Sequence, residues 1–259
     1  QNAGLGWLDG VIQSISRDQD PYTARIWDST IRSINAHHRQ DPLDFTISTG
    51  DHTDTDTEKE LSWFIEIADG LKSDSLRLAV EDGGIYDVDP EGLAMPWYAV
   101  LGNHDVEYQG TANNEILVSA LVPLFGARSD DLCDQAEAVE KYKGSVTLPW
   151  WHGFENQPPQ AYGRWQGYYS FSPNAYTHCI VLNTANYNLE GELPKQTLSL
   201  GCLDQAQYDW MVGEIEDHSD RLCLIFSHHS PVANPESGEE TTSFKDSQSD
   251  ITAGELRRT

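Results

Sequence analysis

Positive charge is what this chain has least of. Its 16 basic residues, only six of them lysine, face 42 acidic ones, a formal net charge of −26. A field of that sign repels nucleic acid and anionic membranes and argues against a partner bound through polyanionic charge. It would repel a phosphate ester as well, unless cations reversed its sign locally. Acid-rich, lysine-poor surfaces suit a saline environment and suit plain solubility equally. Long hydrophobic runs are missing too, which excludes a transmembrane helix. No basic-then-apolar leader is visible. These absences point to a soluble chain, with secretion or display at a cell surface left open. Cysteine is sparse: the four residues form no C-x-x-C pair, so a cysteine zinc site is not expected. Cys179 and Cys223 lie in apolar runs and are expected to be core thiols. Cys133 and Cys202 lie in polar stretches where a disulfide could form, though spacing alone does not establish the pairing. There is no G-x-S-x-G elbow, which argues against a serine hydrolase.

What the chain does have is enough material for a core. Its 259 residues are 38% hydrophobic, with 8 Trp and 11 Tyr, and could form one large α/β domain or two small ones. Asp20-Pro21 offers an N-cap followed by proline at the first helical position, and Ile26, Trp27, Ile31 and Ile34 continue at helical spacing to about His38. Phe45–Thr49 reads as a strand. Leu61, Phe64, Ile65 and Ala68 mark a second helix that stops at Gly70. Residues 71–95 read as an irregular excursion, Trp97–Leu101 as a strand, and 114–125 as a helix. Residues 127–165 lack a sustained period and are expected to be an insertion over one face. Residues 168–171 and 177–182 read as a hairpin around a Pro173-Asn174 turn. A helix over 203–215, a strand over 222–226 and a loop over 234–250 complete the pattern. The expected fold is α/β, a layered sandwich of two β-sheets flanked by helices.

Three polar clusters end three of these strands: Gly50-Asp51-His52-Thr53-Asp54, Gly102-Asn103-His104-Asp105 and His228-His229-Ser230-Pro231. Strand ends are where open α/β sheets form binding crevices. Asp51 has two carboxylate oxygens and could bridge two cations; alone, it would more often cap the next helix. Asn103 supplies a neutral amide oxygen. His104 could protonate a leaving group or hold a phosphoryl oxygen, with Asp105 fixing its orientation. Gly-Asn is a common turn pair, but a specified four-residue string arises by chance only about once in 10⁵ positions. His228 and His229 offer imidazole nitrogen suited to zinc, iron or manganese. One of the two suffices, and His228 is favoured as nearer the strand end, with His229 facing phosphate. His52 reaches substrate or sits in the turn, and Asp54 supports a ligating histidine from outside. His37, His38, His152, His178 and His218 show no partner pattern and are read as surface or packing residues.

These clusters resemble the ordered signature of the calcineurin-like metallophosphoesterases: D-x-H, G-D-x-x-D, G-N-H-D/E, a single H, then G-H-x-H. Gly50–Asp54 matches the second element, Gly102–Asp105 the third, and the His228-His229 pair the fourth. The resemblance implies two metal ions (Mn, Fe or Zn), a small phosphate ester as substrate and in-line hydrolysis by a phosphatase or phosphodiesterase. It makes Asp51 the bridge, Asn103 and one of the paired histidines ligands of the second metal, and His104 the acid or phosphate-binding group. No D-x-H precedes Asp51 and no G-H-x-H follows His229. Both absences fall at the chain's ends, and it begins with Gln. Residues 1–259 are therefore expected to form a single metallophosphoesterase domain truncated at both ends, binding metal weakly and turning over little alone. The alternative is a catalytically degenerate, acidic binding or surface module.

Overall fold

The computed structural model describes residues 20–54, 57–74, 76, 88–106, 133, 135–144, 151–158, 167–185, 201–231 and 256. The helix expected over 114–125 and the loop expected over 234–250 lie outside them.

Helix α1 spans Thr23–His38. It is preceded by a single 3-10 turn, Asp20–Tyr22, so Asp20 does not cap the α-helix as expected. Pro21 lies in that tighter turn, and the α-helix starts two residues later than expected, with Tyr22 at the N-cap position. Trp27 of α1 stacks on Phe64 at 4.9 Å. Asn35 is buried and ties the following chain to the helix, donating to Gly92 O at 2.7 Å and accepting from Ala94 N at 2.9 Å. Strand β1 (Thr46–Ser48) comes next. Helix α2 (Glu58–Asp69) starts at Thr57, whose hydroxyl accepts Glu60 N–H, and stops at the left-handed Gly70, as its sequence predicts. Strand β2 (Trp97–Ala99) lies parallel to β1, with Ile47 opposite Tyr98.

Helix α3 (Gln135–Gly144) lies within the stretch that carries no sustained period. Its buried stripe is only Ala138, Val139 and Tyr142 beyond Gln135, too short to register as a repeat, yet these three join the main core. Strands β3 (Tyr169–Asn174) and β4 (Thr177–Val181) form the expected hairpin. Its turn lies two residues later than expected, at Ala175-Tyr176. Pro173 sits inside β3, where the register shifts between Phe171 and Asn174; such an irregularity is where a strand tolerates proline. Helix α4 (Gln205–Asp217) is capped by Asp204 and leads into β5 (Leu222–Phe226), parallel to β4.

The two sheets, β1-β2 and β3-β4-β5, pack face to face. Alternation along each strand decides the layers. Tyr98 stacks on Phe171 at 3.6 Å, and Phe45 meets Tyr98, Phe171 and Phe226 edge-on. Trp97 points the other way, to Phe64, Tyr142 and His152. On the outer sheet Cys179 and Val181 join the inter-sheet core, whereas Ile180 packs with Leu182, Leu203 and Met211 on the α4 side. The fold is therefore the expected α/β arrangement of two sheets with helices on their outer faces.

No disulfide forms: Cys133 and Cys202 are both buried thiols, and Cys223 is half-buried rather than in the core. Burial pushes the Cys179 thiol up to about 11. Because the thiolate is the reactive form, iodoacetamide at pH 8 is expected to label Cys223 well before Cys179. Early modification of Cys179 in the folded chain, read by peptide mass mapping, would contradict that burial.

Candidate metal centre

The loops leaving β1 and β2 run side by side because the parallel pairing continues past both strands: Val100 N–H donates to Ser48 O at 2.8 Å. Two glycines let them touch. A Cβ at Gly102 would sit 2.2 Å from Asp51 N, and one at Gly50 would sit 2.7 Å from His228 Nδ1. Asp51 takes a left-handed backbone, φ 55, unusual for a residue other than glycine and of the kind found at functional sites. It does not cap α2; Thr57 does. Its Oδ1 accepts His104 N–H at 3.0 Å.

His228 joins this pair from the end of β5. Its Nδ1 lies 2.8 Å from Thr49 O. A carbonyl only accepts, so Nδ1 carries the proton and the Nε2 of a neutral ring bears a lone pair. That Nε2 faces Asn103 Oδ1 at 3.0 Å and Asp51 Oδ1 at 3.3 Å. Three potential ligand atoms from three strand ends thus converge, and a cation placed among them would be held by all three. One nitrogen and two oxygens form a donor set that suits Mn, Fe or Zn. Asn103 is 4% exposed, while the Asp51 side chain is 39% exposed, so the cluster is open to solvent on the aspartate side.

A family model described as calcineurin-like phosphoesterase matches residues 18–251. The chain belongs to that family. No curated protein matches it. Membership makes this calcineurin-like chain a metal-dependent phosphoester hydrolase in kind, with small phosphate esters as the substrate class. Among the described residues no helix is long and apolar enough to cross a membrane.

Of the remaining residues singled out in the sequence of this calcineurin-like chain, His104 stands beside the cluster and three others take roles that differ from expectation. His104 Nδ1 lies 2.9 Å from the carbonyl of Asp54, whose carboxylate is 3.7 Å away. Asp54, not Asp105, therefore orients this imidazole. Asp105 is fully buried and accepts backbone N–H groups of His52 at 2.6 Å, Thr53 at 3.0 Å and Gly102 at 2.8 Å. Its carboxylate clamps the two loops together. His52 points into the core, with Nε2 on Ser48 Oγ at 2.8 Å, Nδ1 on the Tyr142 hydroxyl and its ring stacked on Phe64 at 4.2 Å. Burial lowers its pKa, against the pull of Asp105 and Asp51. His229 is held behind β4, its Nδ1 2.9 Å from Thr184 Oγ1, and of the tandem pair only His228 meets Asn103 and Asp51. Sequence reading missed the carbonyls of Thr49 and Asp54 as orienting groups, because a main-chain oxygen carries no residue-type signal.

Proposed function

We propose that Asp51, Asn103 and His228 hold catalytic metal for phosphate-ester hydrolysis, with Asp51 the carboxylate shared by two ions. The observation that carries this reading is the approach of Asn103 Oδ1 and Asp51 Oδ1 to 3.0 and 3.3 Å from the His228 Nε2 lone pair, a donor set suited to a cation. Bound divalent metal would polarise the phosphoryl group and activate water as nucleophile. The chain's own residues do the positioning. Thr49 O sets the His228 tautomer, an outer-shell hydrogen bond of the kind that orients ligating histidines. Gly50 and Gly102 bring the ligands together. His104, anchored through Nδ1 and partly exposed, offers Nε2 to a phosphoryl or leaving oxygen, and in its protonated form can donate there. Local cations also resolve how so acidic a chain approaches an anionic substrate.

The test pairs turnover with metal binding. Hydrolysis of p-nitrophenyl phosphate and of its bis ester is measured with and without Mn²⁺, beside Mn²⁺ binding followed by electron paramagnetic resonance. Weak manganese-dependent turnover is expected of residues 1–259 alone, and Asn103→Ala should reduce both metal affinity and rate by at least tenfold. An unchanged rate removes Asn103 from the centre. Metal binding that Asn103→Ala leaves unchanged, with no turnover, favours the acidic binding module instead.

A further inference from the structure

The contact between α4 and the outer sheet is apolar over half its length and polar over the other half. Ile180, Leu182, Leu203 and Met211 fill the first half. In the second, His178 of β4 meets Glu214 and His218, four residues apart and hence on one face of the chain leaving α4. We propose that these three residues form a separate divalent-metal site, of the class that takes zinc, fastening the end of α4 to the sheet.

The donor set is two imidazoles and one carboxylate, with ligand atoms all within 4.8 Å of one another. The two rings stack at 3.6 Å and 9°, so their in-plane lone pairs run side by side and His218 has to turn for both rings to face one ion. Tetrahedral zinc with bonds of about 2.0–2.1 Å needs donor atoms roughly 3.3 Å apart, within reach of side-chain rotation by the half-exposed Glu214 and His218. His178, 3% exposed, is the fixed member.

What distinguishes this trio from a chance cluster is that every ligand side chain is also hydrogen-bonded to a group that is not itself a ligand atom, a serine hydroxyl for His178 and Glu214 and a main-chain carbonyl for His218. His218 Nδ1 lies 2.9 Å from Glu214 O, so the carbonyl takes the Nδ1 proton and leaves Nε2 with the lone pair. Glu214 Oε2 accepts the Ser170 hydroxyl at 2.7 Å. His178 Nδ1 lies 3.0 Å from Ser172 Oγ, and its Nε2 lies 2.8 Å from Glu214 Oε2. Such outer contacts fix ring tautomers and carboxylate orientation in metal sites. In the metal-free chain one proton bridges His178 Nε2 and Glu214. The metal replaces that proton, which moves to Nδ1, where the Ser172 hydroxyl can accept it as readily as it donates. No proton needs to leave the site. Among the described residues, Arg221 is the cation placed against this shell, its Nη1 3.0 Å from Ser172 Oγ, and Asp220 lies 3.8 Å from its guanidinium. A soft donor stands alongside: Cys223 is opposite His178 in the strand register, its thiol 3.8 Å from His218 O.

The trio lies on the α4 face of the sheet, whereas Cys179 and Val181 face the other sheet, and it shares no ligand with the Asp51 cluster. The two sites can therefore be tested apart. In the full chain carrying Asp51→Asn and His228→Ala, Co²⁺ titration is expected to give one equivalent of bound metal with visible absorption bands of low coordination number, displaced by Zn²⁺. Adding His218→Gln should weaken Co²⁺ at least tenfold and abolish the rise in Tm that Zn²⁺ produces in the parent variant. Glu214→Gln, which keeps a hydrogen bond to His178, should do the same and serves if His218→Gln folds poorly. No cobalt bound in the parent variant, or equal affinity with and without these substitutions, overturns the proposal.

Discussion

Asp51→Asn is expected to weaken Mn²⁺ binding at the loop centre and phosphoester hydrolysis by about 100-fold or more, because loss of an outer contact alone costs 10–100-fold in affinity or activity. The substitution is chosen to leave the fold intact. Asparagine tolerates the left-handed backbone at φ 55 as well as aspartate does, and its amide oxygen can still accept His104 N–H. What disappears is one negative charge and the second carboxylate oxygen, the two properties a shared metal ligand needs. Thermal stability should therefore move little while affinity collapses. Paired calorimetric titration and steady-state rates read the two effects separately. Mn²⁺ affinity equal to that of the parent chain would end the assignment of Asp51 as a ligand.

Asp105→Ala should produce the opposite pattern, a large loss of stability whatever happens to catalysis. Three backbone N–H groups converge on that fully buried carboxylate, from both loops of the centre. Each buried donor left without an acceptor costs about 1–3 kcal/mol, so the variant should lose about 3–5 kcal/mol after partial relaxation. For a chain of this size that corresponds to a fall in Tm of roughly 10 °C. Urea denaturation of the metal-free chain isolates the effect from metal linkage. A variant as stable as the parent, but with an altered pH–rate profile, would instead restore Asp105 to the side of His104.

The contrast between these two aspartates shows where sequence reading reached and where it stopped. Gly50-Asp51 and Gly102-Asn103-His104-Asp105 were recognisable because each follows an apolar strand, and strand ends are placed by local alternation. The stop of α2 at Gly70 and the pairing of 168–171 with 177–182 were legible for the same reason: turn and cap chemistry acts over a few residues. The start of α1 and the hairpin turn were each displaced slightly, since Pro21 and Pro173 tolerate more than one backbone setting. Asp105 was misplaced because its partners, His52 and Thr53, lie 53 and 52 residues away. His178 and His218 showed no pattern because strand and helix bring them together only once α4 lies across the sheet.

Residue order alone determined the family signature, the two-sheet α/β class and the candidates for the cluster, Asp51, Asn103 and the tandem His228-His229, because hydrophobic alternation and strand-end chemistry are local properties. Tertiary structure alone decided the division of labour within each cluster: His228 rather than His229 beside Asn103, Asp54 rather than Asp105 behind His104. Those choices follow from which oxygen stands within about 3 Å, as with Thr49 O and His228 Nδ1, 179 residues apart in the chain. Hydrogen-bond energy falls away within an ångström, so no spacing rule along the chain encodes it.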